Sequence, residues 1–66
     1  MFVLVQRTDT LPEMRAVVNT DHIVAALPVG GGVRTRLHLA IGETWEISLP
    51  FNRVVSLLHE EAEAGV

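Results

Sequence analysis

A period-two alternation marks the middle of the chain, cleanest from Val33 onward. From His22 to Val29, Ile23, Ala25, Leu27 and Val29 fall on one strand face and His22, Val24, Ala26 and Pro28 on the other. From Val33 to Leu39, Val33, Leu37 and Leu39 share a face with Thr35, and Arg34, Arg36 and His38 share the opposite one. From Thr44 to Leu49, Trp45, Ile47 and Leu49 oppose Glu46 and Ser48. A period of two over this length predicts three strands, each with one buried face. Gly30-Gly31-Gly32 and Gly42 punctuate them as turns.

Parity then predicts the pairing. Directly opposed residues of an antiparallel pair point to the same face, so apolar faces match only across loops with an odd residue count. A three-glycine loop pairs Val29 with Val33, Leu27 with Thr35, Ala25 with Leu37 and Ile23 with Leu39. A three-residue loop wants glycine at its third, left-handed position. Ala40-Ile41-Gly42 satisfies that, pairing Leu37 with Trp45 and Arg36 with Glu46.

Ahead of this meander, Met1-Phe2-Val3-Leu4-Val5 is apolar on both strand faces, which predicts burial on both sides by the fold or by a partner. Thr8 to Glu13 reads as a loop, Met14 to Val18 as a short strand, and Asn19-Thr20-Asp21 as a tight turn. After Pro50 the spacing changes. Phe51, Val54, Val55, Leu58 and Ala62 trace one helical stripe, with Leu57 beside it. Pro50 suits a first helical turn, and Ser48 or Asn52 is placed to cap it. Glu60, Glu61 and Glu63 oppose the dipole at the other end, so fraying is expected there, with Gly65 as the stop. The reading is a single α+β domain. A small antiparallel β-meander of four to five strands spans 1–49, a C-terminal helix over 50–63 packs on one face, and 64–66 form a frayed tail.

Length now matters. A chain of 66 residues buries only about 60% of the surface its unfolded form exposes. Domains this small usually need a disulfide, a metal or a partner chain. There is no cysteine, so disulfides and thiolate metal sites are excluded, which also fits a reducing, cytoplasmic setting. Hydrophobic residues make up 48%, more than one small interior holds, which favours self-association. The apolar start is too short to span a membrane and lacks the basic region and cleavage site of a signal peptide. No membrane contact is expected, and Met1–Val5 reads as a first strand.

The net charge is −3 with no lysine, against the basic excess of a non-specific nucleic-acid binder. A local patch is still conceivable: Arg34, Arg36 and His38 form a polar stripe, with Arg53 on the helix as a further cation. Guanidinium groups in a row suit phosphate or carboxylate recognition. The plainer reading is a solvated outer face with Arg36 paired to Glu46. No aromatic interleaves the stripe, so base stacking is not supported. Two histidines and a carboxylate, His22, His38 and Glu46, share that face, but no tight ligand spacing occurs, and no metal or cofactor is expected. Trp45, the only tryptophan, fits core packing under the helix, with interface anchoring as the alternative. The glycine triplet lacks the Lys-Ser/Thr of a phosphate loop. With no Cys, no Lys and only Ser48 and Ser56, nucleophilic catalysis has no foothold.

Phe2, Leu4, Val24, Ala26 and Leu57 are apolar positions left over once one sheet face is covered, and they are the candidate interface. The expected role is a non-catalytic interaction module that forms homo-oligomers or meets a protein partner. The alternative is a nucleic-acid-binding regulator that uses the arginine stripe.

The order Val18-Asn19-Thr20-Asp21-His22-Ile23, Arg36-Leu37-His38-Leu39, Gly42-Glu43-Thr44 and then a short helix resembles the small FlbD/SwrD-like flagellar proteins over residues 18–58. That resemblance implies short β-hairpins ending in a helix and a flagellar role without known catalysis. The same pattern also looks like part of a LytTR-type DNA-binding domain. Neither resemblance assigns a functional residue.

Overall fold

The computed structural model describes residues 1–64, with side chains through residue 60. Five antiparallel strands, β1 (Phe2–Arg7), β2 (Met14–Asn19), β3 (Ile23–Val29), β4 (Arg34–Leu39) and β5 (Thr44–Ile47), are followed by one helix, α1 (Phe51–Ala64). The sheet order is β2-β1-β5-β4-β3. The meander β3-β4-β5 and the hairpin β1-β2 meet where Arg7 pairs with Ile47. The helix includes Ala64, which was expected in the tail. Gly65 and Val66, and the side chains of Glu61, Ala62 and Glu63, lie outside the described residues.

The edge strands β2 and β3 are joined only by the 3₁₀ turn Thr20–His22. Four residues from Asn19 to Ile23 reach at most roughly 14 Å. A flat sheet would hold its outer strands roughly 19 Å apart. The sheet therefore curls, bringing its edges together at this turn while they stay unpaired to each other. Asn19 stabilises the turn by accepting the Asp21 N–H on its side-chain oxygen at 3.1 Å. Thr20 is buried and ties the turn to the first strand, donating to the Met1 carbonyl from its backbone N–H (2.8 Å) and its hydroxyl (3.1 Å).

The curl encloses a core of Val5, Val18, Leu37, Leu39, Ile47 and Val54. The helix closes over it. Val54 is buried, while Leu57 and Leu58 line a small apolar cavity with Val5, Leu37 and Ile47. The stripe that meets the sheet is thus Val54, Leu57 and Leu58. Val55, expected inside, is 47% exposed, and Leu57, expected as interface, faces inward. Helix rotation follows the link from β5: the Pro50 carbonyl accepts from Arg53 and Val54, starting α1 directly after Leu49. That start is held by Thr35, which is fully buried on the apolar face of β4 and donates its hydroxyl to the Leu49 carbonyl at 2.8 Å.

The β4–β5 hairpin has the expected register, with Leu37 opposite Trp45 and Arg36 opposite Glu46. Gly42 takes a φ of +90°, and its N–H and that of Leu39 close the loop. The β3–β4 hairpin differs. Ile23 opposes Leu39 as expected, but Leu27 opposes Arg36 and Ala26 opposes Leu37, with a register shift between Ile23 and Ala25. This bulge absorbs one residue, so the loop between Val29 and Arg34 holds an even count and Val33 is exposed instead of inward. A bulge reverses which residues face inward beyond it. Ala26 consequently packs against the core and is no interface residue, whereas Leu27 turns outward and is 45% exposed.

The start of the chain is also corrected. Val3 and Val5 point into the core, but Phe2 and Leu4 are exposed, so the fold itself buries only one face of β1.

Candidate functional site

The outer face of the sheet has two unlike halves. On the meander, rows run across strands: Leu27, Arg36 and Glu46 form one, and Ala25, His38 and Thr44 the next. Arg36 and Glu46 approach to 3.9 Å, both partly exposed, a pairing of small energetic weight. His38 Nδ1 lies 3.4 Å from the Thr44 hydroxyl. Arg34 extends the stripe from beside Val29. Arg53 does not join it: the helix covers the inner face, so Arg53 sits on the other side of the sheet. His22 belongs to the 3₁₀ turn and is likewise apart from His38 and Glu46. Among the described residues no three His, Asp or Glu side chains come together as a metal-holding group.

On the β1–β2 hairpin the outer face carries an apolar cluster, bordered by Asn19 and by the Gln6–Arg15 pair. Leu4 directly opposes Val17, and Phe2 stands two residues along. These side chains are 61%, 59% and 72% exposed. Val17 was not among the expected interface residues; the Leu4–Val17 pairing across the Thr8–Glu13 loop reveals it. Val24 is exposed too, at the bulge on β3, a strand that does not pair with β1 or β2.

A second constellation lies on the inner side. Arg7 pairs with Ile47, so its diagonal neighbour on the same face is Trp45. The guanidinium stacks 4.5 Å from the indole centroid. Arg7 also donates two hydrogen bonds to the Asp9 carboxylate, both 3.0 Å, and the indole N–H donates to Glu43 at 2.9 Å. The Arg7 hydrogen bonds hold the Asp9 carboxyl below the usual carboxylate range, and Asp9 in turn raises the Arg7 guanidinium. Trp45 is half-buried and packs against the core, but the residues lining the cavity under the helix do not include it. It borders a cleft with Val17, Asn19, His22, Leu39 and Ile41. Its expected place under the helix is corrected accordingly. The sequence signal for this cluster was Arg7-x-Asp9, a spacing that puts both side chains on one side of an extended segment.

Every arginine and carboxylate in these clusters is either paired or solvated, and among the described residues no nucleophile is set against a base. No helix is long and apolar enough to cross a membrane among the described residues. No protein-family model matches the chain, and no characterised protein and no solved structure is significantly similar to it.

Proposed function

We propose that this chain is a non-catalytic protein-interaction module that works as a homo-oligomer. The observation that carries the reading is the Phe2, Leu4 and Val17 cluster, three large apolar side chains together on the uncovered face of β1–β2. Scattered apolar residues are ordinary on a surface, but a contiguous set on a rigid hairpin is characteristic of an interface. The small core adds a reason, since a chain of this length gains stability from a partner.

The arginine stripe gives less support to nucleic-acid binding. Arg36 is already opposed by Glu46, Arg53 lies across the sheet, and no aromatic stands among the cations. Sedimentation velocity and light scattering test the oligomer reading. Self-association at micromolar concentration, abolished by Leu4→Arg, is the expected result. A monomer throughout that range overturns the reading. Salt-sensitive RNA or DNA binding lost with Arg34→Ala and Arg36→Ala would favour the alternative.

A further inference from the structure

The sheet has two free edges, and they are not alike. On β3 the backbone groups of even-numbered residues past the bulge point outward. This follows from the Leu39–Glu43 hydrogen bond, which assigns odd residues of β4 to β5 and even ones to β3. Two residues, Ala26 and Pro28, hold the outward positions, and Pro28 has no N–H to offer. Proline costs the internal ladder nothing there and denies a donor to any incoming strand. The bulge between Ile23 and Ala25 twists the same edge. Both are recognised devices against edge-to-edge pairing.

Strand β2 has neither. Thr20 donates to Met1, so hydrogen-bonded pairs with β1 alternate from that point and take in Val18, Ala16 and Met14. The N–H and C=O groups of Arg15, Val17 and Asn19 therefore point away from β1, along an edge that no strand among the described residues occupies. The edge is six residues long, without proline or bulge, and Arg15 is its only charge.

We infer that a second copy of this chain docks here, its β2 antiparallel to the first about a two-fold axis at Val17, giving one continuous sheet through both subunits. This rests on the homo-oligomer reading and specifies its geometry. Register selects itself by charge and by apolar continuity. An axis at Arg15 would set two guanidiniums against each other. An axis at Val17 sets Arg15 against Asn19 of the second copy and Val17 against its counterpart. Leu4, Val17, Val17 and Leu4 then form one apolar row across four strands, flanked by Phe2 on each side. Beyond the strand, Glu13 and Asp21 would come opposite each other, a like-charge cost that confines the ladder to β2 itself.

Amide hydrogen exchange on the unaltered chain tests this directly. Met14, Ala16 and Val18 are bonded to β1 at every concentration. Arg15 and Val17 amides are expected to exchange roughly tenfold slower when the chain is associated than when dilute. A cysteine-free background permits a second measurement. Directly opposed residues of a hydrogen-bonded pair sit about 5.5 Å apart at Cα, within disulfide range. Val17→Cys should therefore cross-link to its own copy on oxidation. Arg15→Cys should not, since the two copies of residue 15 would stand roughly 14 Å apart. An associated protein whose Arg15 and Val17 amides stay unprotected overturns the edge pairing while leaving the oligomer reading intact. A protein that never associates overturns both.

Discussion

The meander β3-β4-β5 with its helix and the hairpin β1-β2 are built from the same alternation but resolved differently. In the meander the centre of the inner face is sealed: Leu37 and Ile47 are 1% exposed beneath α1. In the hairpin only one face is covered, and the apolar residues on the other, Phe2, Leu4 and Val17, stay in water. One helix has one stripe, and Thr35 anchors it to the inner side through Leu49. Both regions feed the core, the hairpin through Val5 and Val18, and they differ on the outer face, which is polar on the meander at Arg34, Arg36 and His38 and carries an apolar cluster on the hairpin.

Substitution should expose that division. Leu37→Ala is expected to cost about 3 kcal/mol, the usual range for a buried leucine. A chain of this size has roughly 3–10 kcal/mol in total, so the loss is a large fraction of it and the denaturation midpoint should fall steeply. Leu4→Ala, the same chemistry on the open face, should change monomer stability by less than about 0.5 kcal/mol and weaken association instead. Equal losses at both positions would erase the comparison.

Thr35→Val keeps the shape but removes the donor to Leu49. It should cost about 1–2 kcal/mol, because the carbonyl loses its partner near the core. The loss should be read both by denaturation and by exchange of the first α1 amides, which ought to accelerate if Thr35 seats the helix. Gly42→Ala should cost about 1 kcal/mol, since a side chain at φ +90° is strained even though open space surrounds it. The smallest expected effect is the Arg7–Asp9 pair over Trp45. Asp9 has a depressed folded pKa, so its contribution is present above the ordinary aspartate value of 3.8 and is lost as pH falls through the lower folded value. Trp45 is the only tryptophan, so its fluorescence should shift in that acid window. Asp9→Asn should abolish the transition.

The register of β4–β5 was legible because Gly42 sits where a three-residue loop needs a left-handed residue. Such a loop leaves one pairing that matches Arg36 with Glu46. The β3–β4 register was half legible. Ile23 and Leu39 pair as parity requires, yet alternation carries no mark of the bulge, and one absorbed residue moved Ala26 inward and Leu27 outward. The candidate site divided in the same way. Phe2 and Leu4 stood out as surplus apolar residues, while Val17 and the Arg7–Trp45 stack needed the strands to be laid side by side.

Composition and periodicity by themselves determined an α+β domain with four to five short antiparallel segments, a closing helix and more apolar residues than one core can use. Local spacing is enough for that, since strand and helix periods are properties of neighbouring residues. The tertiary structure alone decided which faces were covered. A short turn from Asn19 to Ile23 forces the sheet to curl, the helix fits inside that curl, and Leu57 is drawn in while Val55 is left out. It also decided that Pro28 and a bulge guard one edge while β2 keeps its outward donors and acceptors, because which way a backbone group points depends on the partner strand.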